Sequence, residues 1–238
     1  MNANQARNEY KFLLRSGIME SFCQELAEHL PSDQGAENGY QIESEYFDDE
    51  RRSKYWEKKL GAPSRRRVRT RVYGDESGER QPTVFIEVKH KVDGDSVKRR
   101  VLLDQDELGE IVERQLPVRE GAADQKVLNE IQNLIAEPSC RPVVRIRYHR
   151  YAFDEGPESL FRVTLDRDLT CRYPTPDGYG EPVQLLEPNQ GILEVKSIGP
   201  VPYWFRLLIA KYHLIPQSFS KFMIALDHKY EKSTLVVS

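Results

Sequence analysis

The stretch RRVRTRVY at residues 66–73 alternates residue by residue, so Arg67, Arg69 and Arg71 fall on one side of a β-strand and Val68, Thr70 and Val72 on the other. A strand face made only of arginine repels any like-charged neighbour beside it. Such a face needs water or an anionic partner over it, and that requirement limits the folds open to the chain. The same period of two recurs at 41–47 (QIESEYF), 83–91 (TVFIEVKHK), 97–103 (VKRRVLL), 143–151 (VVRIRYHRY), 161–167 (FRVTLDR) and 191–197 (GILEVKS). With an N-terminal strand around 8–14 this makes about eight strands, the number at which a closed barrel just encloses a small ligand.

Helical spacing is confined to a few segments. Residues 18–30 place Ile18, Phe22, Leu26 and Leu30 on one stripe and stop at Pro31. Residues 105–116 follow Asp104 and gather Leu108, Ile111, Val112 and Leu116, while 125–136 follow Asp124 and carry Val127, Leu128, Ile131, Leu134 and Ile135. A fourth helix is expected from Pro202 to about His213. Turn-rich linkers lie at 74–82, 93–95, 154–159 and 173–182. The pattern predicts an α+β, mainly β fold whose strands are numerous enough to close into a barrel, with flanking α-helices. One domain is expected over 1–238, with 227–238 as a loosely ordered tail.

Composition narrows the class further. An apolar fraction of 39% with 31% charged residues is that of a globular chain, and a formal net charge of −3 is not that of a global nucleic-acid binder. The strands also lack paired exposed aromatics for base stacking. Cys23, Cys140 and Cys171 are scattered, which argues against a disulfide framework or a thiolate zinc site. The N-terminus has no secretory h-region, and the most apolar run, WFRLLIAKYHLI, is broken by Arg206, Lys211 and His213. A cytoplasmic protein without a membrane segment is expected.

The charges inside the strands carry the functional signal. Glu9 and Lys11, Glu87 and Lys89, and Glu194 and Lys196 form three Glu-x-Lys units, each presenting an acid and a base on one strand face. Lys98 and Arg100 are in phase, as are Arg162, Thr164 and Asp166. One reading is a solvated face with local ion pairs. The other is a phosphate-lined site, in which Arg and Lys hold a polyanion and a glutamate holds a hard divalent cation beside it. In VVRIRYHRYAF either Arg145 and Arg147 face the site, or Arg150 does and the strand carries a bulge. The bases of RRSKYWEKK (Arg51, Arg52, Lys54, Lys58, Lys59) read as a solvated segment, Asp48 and Asp49 as a turn or a metal site, and Tyr46, Phe47 and Tyr148 as core or wall.

Taken in order, NEYKF, SEYFDD, RRRVRTRVYG, FIEVKHK, SVKRR, YHRYAF, FRVTLD, LEVK and SFSKF resemble the catalytic domain of the vacuolar transporter chaperone family, a branch of the triphosphate tunnel metalloenzymes. The resemblance spans Glu9 to about Leu226. It implies a mainly antiparallel β fold, a closed eight-stranded tunnel barrel with flanking α-helices, whose basic tunnel takes ATP and polyphosphate as substrates with Mn2+ or Mg2+ as the cofactor. By motif, Lys11, Arg69, Arg71, Lys89, Arg150 and Arg162 correspond to the catalytic bases, and Lys98, Lys196 and Lys221 to further phosphate contacts. Glu194 corresponds to the metal glutamate, with Glu87 and Glu9 as further candidates; the match also favours Arg150 as the site-facing arginine of its strand. The activity so implied is polyphosphate polymerisation from ATP, with triphosphate hydrolysis or a non-catalytic polyphosphate- or nucleotide-binding module as alternatives.

Overall fold

The computed structural model describes residues 7–33, 37–74, 83–93, 95–104, 106–107, 117–136, 140–156 and 158–234. Its strands are β1 (Arg7–Leu14), β2 (Tyr40–Asp48), β3 (Ser64–Gly74), β4 (Thr83–Val92), β5 (Asp95–Leu103), β6 (Arg141–Asp154), β7 (Phe161–Arg172), β8 (Pro174–Thr175), β9 (Gly178–Tyr179), β10 (Val183–Gln184) and β11 (Gly191–Ile198). The described helices are α1 (Met19–His29), α2 (Ser53–Lys59), α3 (Ala122–Ala136), α4 (Tyr203–Lys211) and α5 (Lys221–Thr234). Most of the helix expected at 105–116 lies outside the described residues.

The main sheet has the order β1-β11-β7-β6-β2-β3-β4-β5, with β10 beside β7. The β1/β11, β11/β7, β3/β4 and β4/β5 ladders are antiparallel. The α+β, mainly antiparallel expectation holds, but the closed eight-stranded barrel does not follow from this order. Closure would require a β1–β5 ladder, and among the described residues the path ends at those two strands. β5 has the character of an edge: Asp95 to Arg100 are exposed, and Lys98, Arg99 and Arg100 are the kind of charges that keep a strand edge from adding a neighbour.

The chain packs as two compact units. The first comprises residues 1–41, 148–170 and 184–220. Its core joins Phe12 and Leu14 of β1, Phe22 and Leu26 of α1, Phe161, Val163 and Leu165 of β7, Leu193 and Val195 of β11, and Phe205 and Leu208 of α4. α1 buries the predicted stripe and ends where Leu30 turns extended ahead of Pro31. α4 opens after Pro202, whose fixed φ suits a helix start. Just before β2, Gly39 has φ +75, and a Cβ there would lie 2.4 Å from His149 Nε2 and 2.6 Å from the Arg150 carbonyl oxygen. Only glycine lets the chain pass that close to β6.

The second unit comprises residues 42–147, 171–183 and 221–238. Leu128, Ile131 and Ile135 of α3 cover Val68 of β3, Val84, Ile86 and Val88 of β4, and Val101 and Leu103 of β5. The segment read as solvated at 51–59 is largely helix α2. Asp48 Oδ1 accepts the backbone N–H groups of Asp49 (2.9 Å) and Lys54 (2.8 Å), Asp48 Oδ2 that of Tyr55 (3.0 Å), and Asp49 Oδ1 that of Ser53 (3.0 Å). These bonds satisfy the orphan donors of the helix start, so the two aspartates serve as a turn and cap. α5 carries helix to Thr234, where the sequence had suggested a loose tail from 227; Tyr55 and Lys59 each donate to Asp227 Oδ1 at 2.7 Å and tie that helix down. No described helix is long and apolar enough to cross a membrane.

Candidate phosphate-binding site

In the first unit, β7 gives Phe161, Val163 and Leu165 to the core, so Arg162, Thr164 and Asp166 share its other face. β11 likewise turns Glu194 and Lys196 away from the core, and β1 turns Glu9 and Lys11. Antiparallel register aligns these positions in rows: Glu9, Lys196 and Arg162 in one, Lys11, Glu194 and Thr164 in the next. Lys11 Nζ lies 3.0 Å from Glu9 Oε1 and 3.4 Å from Glu194 Oε2, and Lys196 Nζ lies 2.6 Å from Glu194 Oε1. Two of the Glu-x-Lys units therefore interlock across one ladder.

Burial alone would raise the Glu194 pKa, but Lys11, Lys196 and Arg150 outweigh it and hold the carboxyl well below the usual range. For Lys11 burial lowers the pKa, and Glu194 and Glu9 overcome that and leave it raised. Arg150 and Arg145 occupy opposite faces of β6. Arg150 donates from Nε and Nη2 to the two oxygens of Asp166 at 2.6 and 2.8 Å, while Arg145 pairs with Glu45 at 2.9 Å and Glu43 at 3.5 Å. Arg150 is thus the arginine on the face of Asp166. Arg162 reaches Asp33 (3.0 Å) and Asp154 (3.1 Å) at a cavity of about 550 Å³ that Lys196 also lines.

The second unit repeats the theme. Arg69 stands opposite Glu87, which stands opposite Arg100; in the next row Arg67, Lys89 and Lys98 align. Glu87, 1% exposed, is held by Arg69 (2.6 Å), Lys98 (3.3 Å) and Arg71 (4.0 Å). Against the upward push of burial, Arg69, Arg71 and Lys98 hold its pKa down to about 2. Lys98 itself has a lowered pKa, because burial outweighs the attraction of Glu87. Both directions describe one cluster with more positive than negative charge. Lys221 opens α5 in this unit.

The residues expected at the site thus divide into two sets: Glu9, Lys11, Arg150, Arg162, Glu194 and Lys196 in the first unit, and Arg69, Arg71, Glu87, Lys89, Lys98 and Lys221 in the second. Three polar partners escaped the sequence reading, and a fourth, Asp166, was placed on the charged strand face without its role. Asp166, fully buried, anchors Arg150, and Ser44 Oγ accepts from Arg71 Nε at 3.3 Å. Asp154 pairs with Arg162. Tyr46, read as core or wall, accepts from Arg69 Nη1 at 2.9 Å; burial would raise its pKa, but Arg69, Arg71 and Arg67 bring it to about 8. The signal for two of them was present, since Ser44 and Tyr46 keep the same period-two phase.

Among the described residues no group of three or more His, Cys, Asp or Glu side chains could hold a metal ion. Mg2+ usually takes one or two protein carboxylates and completes its shell with phosphates and water. Glu9 and Glu194, both within reach of Lys11, fit that partial shell. The two oxygens of Glu87 are held by Arg69 and Lys98, as those of Glu194 are by Lys196 and Lys11, so at either glutamate a cation would have to displace a protein base.

These features define an α+β protein with an antiparallel sheet that gathers cations around buried glutamates on two faces. The VTC domain family profile matches residues 6–230, and the chain belongs to that family. A comparison with curated proteins returns no match. Among solved structures, the chain is similar to a protein described as a candidate adenylate cyclase from Bacillus halodurans, with TM-score 0.53 and 14% identity over 89% of this chain and 92% of that one. It is also similar to the PH1819 protein of Pyrococcus horikoshii OT3, with TM-score 0.50 and 13% identity over 93% of this chain and 99% of that one. At these identities the likeness concerns the fold.

Proposed function

We propose that the chain is an ATP-dependent polyphosphate polymerase that transfers the γ-phosphoryl group of ATP to the end of an inorganic polyphosphate chain. The observation that carries this reading is the surplus of cations around Glu194 and Glu87 in a protein of net charge −3. Positive charge is concentrated on strand faces rather than spread over the chain, as a polyanion site requires. Family membership supports the same reading.

In this mechanism Lys11, Arg150, Arg162 and Lys196 of the first unit bind and orient phosphoryl oxygens, and Arg69, Arg71, Lys89, Lys98 and Lys221 of the second form a further phosphate-binding set. A terminal oxygen of the acceptor chain attacks Pγ, the bond from Pγ to the β–γ bridging oxygen breaks, and ADP leaves with that electron pair. The attacking oxygen is already ionised at neutral pH, so no general base is needed. Catalysis consists of bringing two anions together in line and neutralising their charge. Mg2+ or Mn2+ held by Glu194 and Glu9 would supply further neutralisation of the phosphate oxygens.

The test is the product balance after incubation with ATP and Mn2+. ADP without matching free phosphate, with the remainder recovered as acid-labile polymer, is the expected result. ADP with stoichiometric free phosphate would make the chain a hydrolase. A binding module is the second reading, favoured by the complete pairing of Glu87 with protein cations; tight polyphosphate binding with no turnover would establish it. In a polymerase, Glu194→Gln lowers turnover on the order of 100-fold while polyphosphate still binds.

A further inference from the structure

Thr164 lies on the site face of β7, between Arg162 and Asp166 in sequence and opposite Glu194 in register. The residue is 4% exposed, and its Oγ1 is buried without a hydrogen-bond partner among the described residues. A buried hydroxyl normally finds a partner, and leaving one unmade is costly. The nearby acids are occupied by cations: Glu194 by Lys11 and Lys196, Asp166 by both arms of Arg150. The hydroxyl therefore has a proton to give, with Lys11 in its row and Lys196 and Arg162 in the row beside it to attract an anion.

We propose that Thr164 is a substrate-binding residue that donates its hydroxyl hydrogen to a phosphoryl oxygen of the chain held by Lys11 and Arg150. This rests on the polyphosphate reading above and adds a neutral donor to a site otherwise built from cations. A neutral donor contributes direction where lysine contributes only charge, so it fixes which phosphoryl oxygen faces β7. Asn and Gln could also donate, but neither has the compact shape that fits between Arg162 and Asp166 on a buried strand face.

The experiment compares wild type, Thr164→Val and Thr164→Ser for binding of inorganic tripolyphosphate by calorimetry, with EDTA and then with Mn2+, alongside thermal melts of the free proteins. Val keeps the shape and removes the hydroxyl; Ser keeps the hydroxyl and removes the methyl. Thr164→Val is expected to bind about tenfold more weakly in both conditions, and its ligand-free Tm is expected to stay level or rise by about 2–4 °C, because a hydroxyl without a partner has been removed. Thr164→Ser is expected to bind as wild type does. Equal binding by Val and wild type would overturn the proposal, as would equal losses in Val and Ser, which would assign the effect to packing. A loss confined to Mn2+ would also overturn it, placing the hydroxyl on a metal-bound water instead. Wild type that fails to bind tripolyphosphate would sink the polyphosphate reading itself, a result distinct from a silent variant.

Discussion

A phenol surrounded by guanidinium groups gives up its proton more readily than one in water, because each neighbouring charge favours the phenolate. Tyr46, buried beside Arg69, Arg71 and Arg67, is in that position, with a pKa brought to about 8. An ultraviolet titration should therefore show one tyrosine ionising near pH 8, and Tyr46→Phe should abolish that step while leaving the remainder of the curve. The sign for stability follows: the folded-state pKa lies below the ordinary value near 10, so Tyr46 adds stability as pH rises above about 8. At this scale the cations were legible in the sequence, because period two puts Arg69, Arg71, Lys89, Lys11 and Lys196 on defined faces. Their partners were less so. Asp33 lies 129 residues from Arg162, with which it pairs, and nothing in a local pattern says that Tyr46 Oη will meet Arg69.

Among the elements, β4 shows how a charged strand can be central. Its apolar face, Val84, Ile86 and Val88, packs under α3, and its other face carries Glu87 between Arg69 and Arg100. Depression of the Glu87 pKa from 4.5 to about 2 corresponds to about 3 kcal/mol of stabilisation of the folded state. Glu87→Gln leaves Arg69, Arg71 and Lys98 facing one another without their acid, and a loss of about 3–5 kcal/mol is expected. Thermal melts check it, and added tripolyphosphate should raise the Tm of this variant more than that of wild type, since the anion replaces the missing charge. The eight long strands and α1, α3 and α4 were readable because each has an apolar stripe of the right period, whereas the two-residue strands β8, β9 and β10 were not. α2 was not, since its seven residues carry only Tyr55 as a buried side chain and its start is fixed by Asp48 and Asp49, which precede it.

The whole molecule inherits a pH response from these clusters. Glu87 and Glu194 ionise below the ordinary carboxylate range, so the stability of their ion pairs is fully present above about pH 4.5 and is lost as pH falls towards 2. Lys11, raised above its ordinary value of 10.5, contributes below that value and fails as pH climbs past it. Melting temperatures measured across pH should therefore drop at the acid end, and the Tyr46 contribution should add stability above about pH 8. At this scale the sequence reading was weakest. Alternation identifies strands and faces, but the ring of a barrel depends on one pairing between β1 and β5, far apart in the chain, and no residue pattern encodes that pairing.

Each compact unit is assembled from three separate stretches of chain, and crossings fall within β2, β6, β7 and β10. During synthesis, then, neither body can be finished early. The first lacks α4 until residues beyond 203 have emerged, and the second lacks α5 until residues beyond 221 have emerged. Lys11, made early, waits for Glu194, whereas Arg69 and Arg71 meet Glu87 within their own stretch of chain. The nascent chain depends on keeping soluble through that interval, and cellular polyanions are themselves suited to shield it.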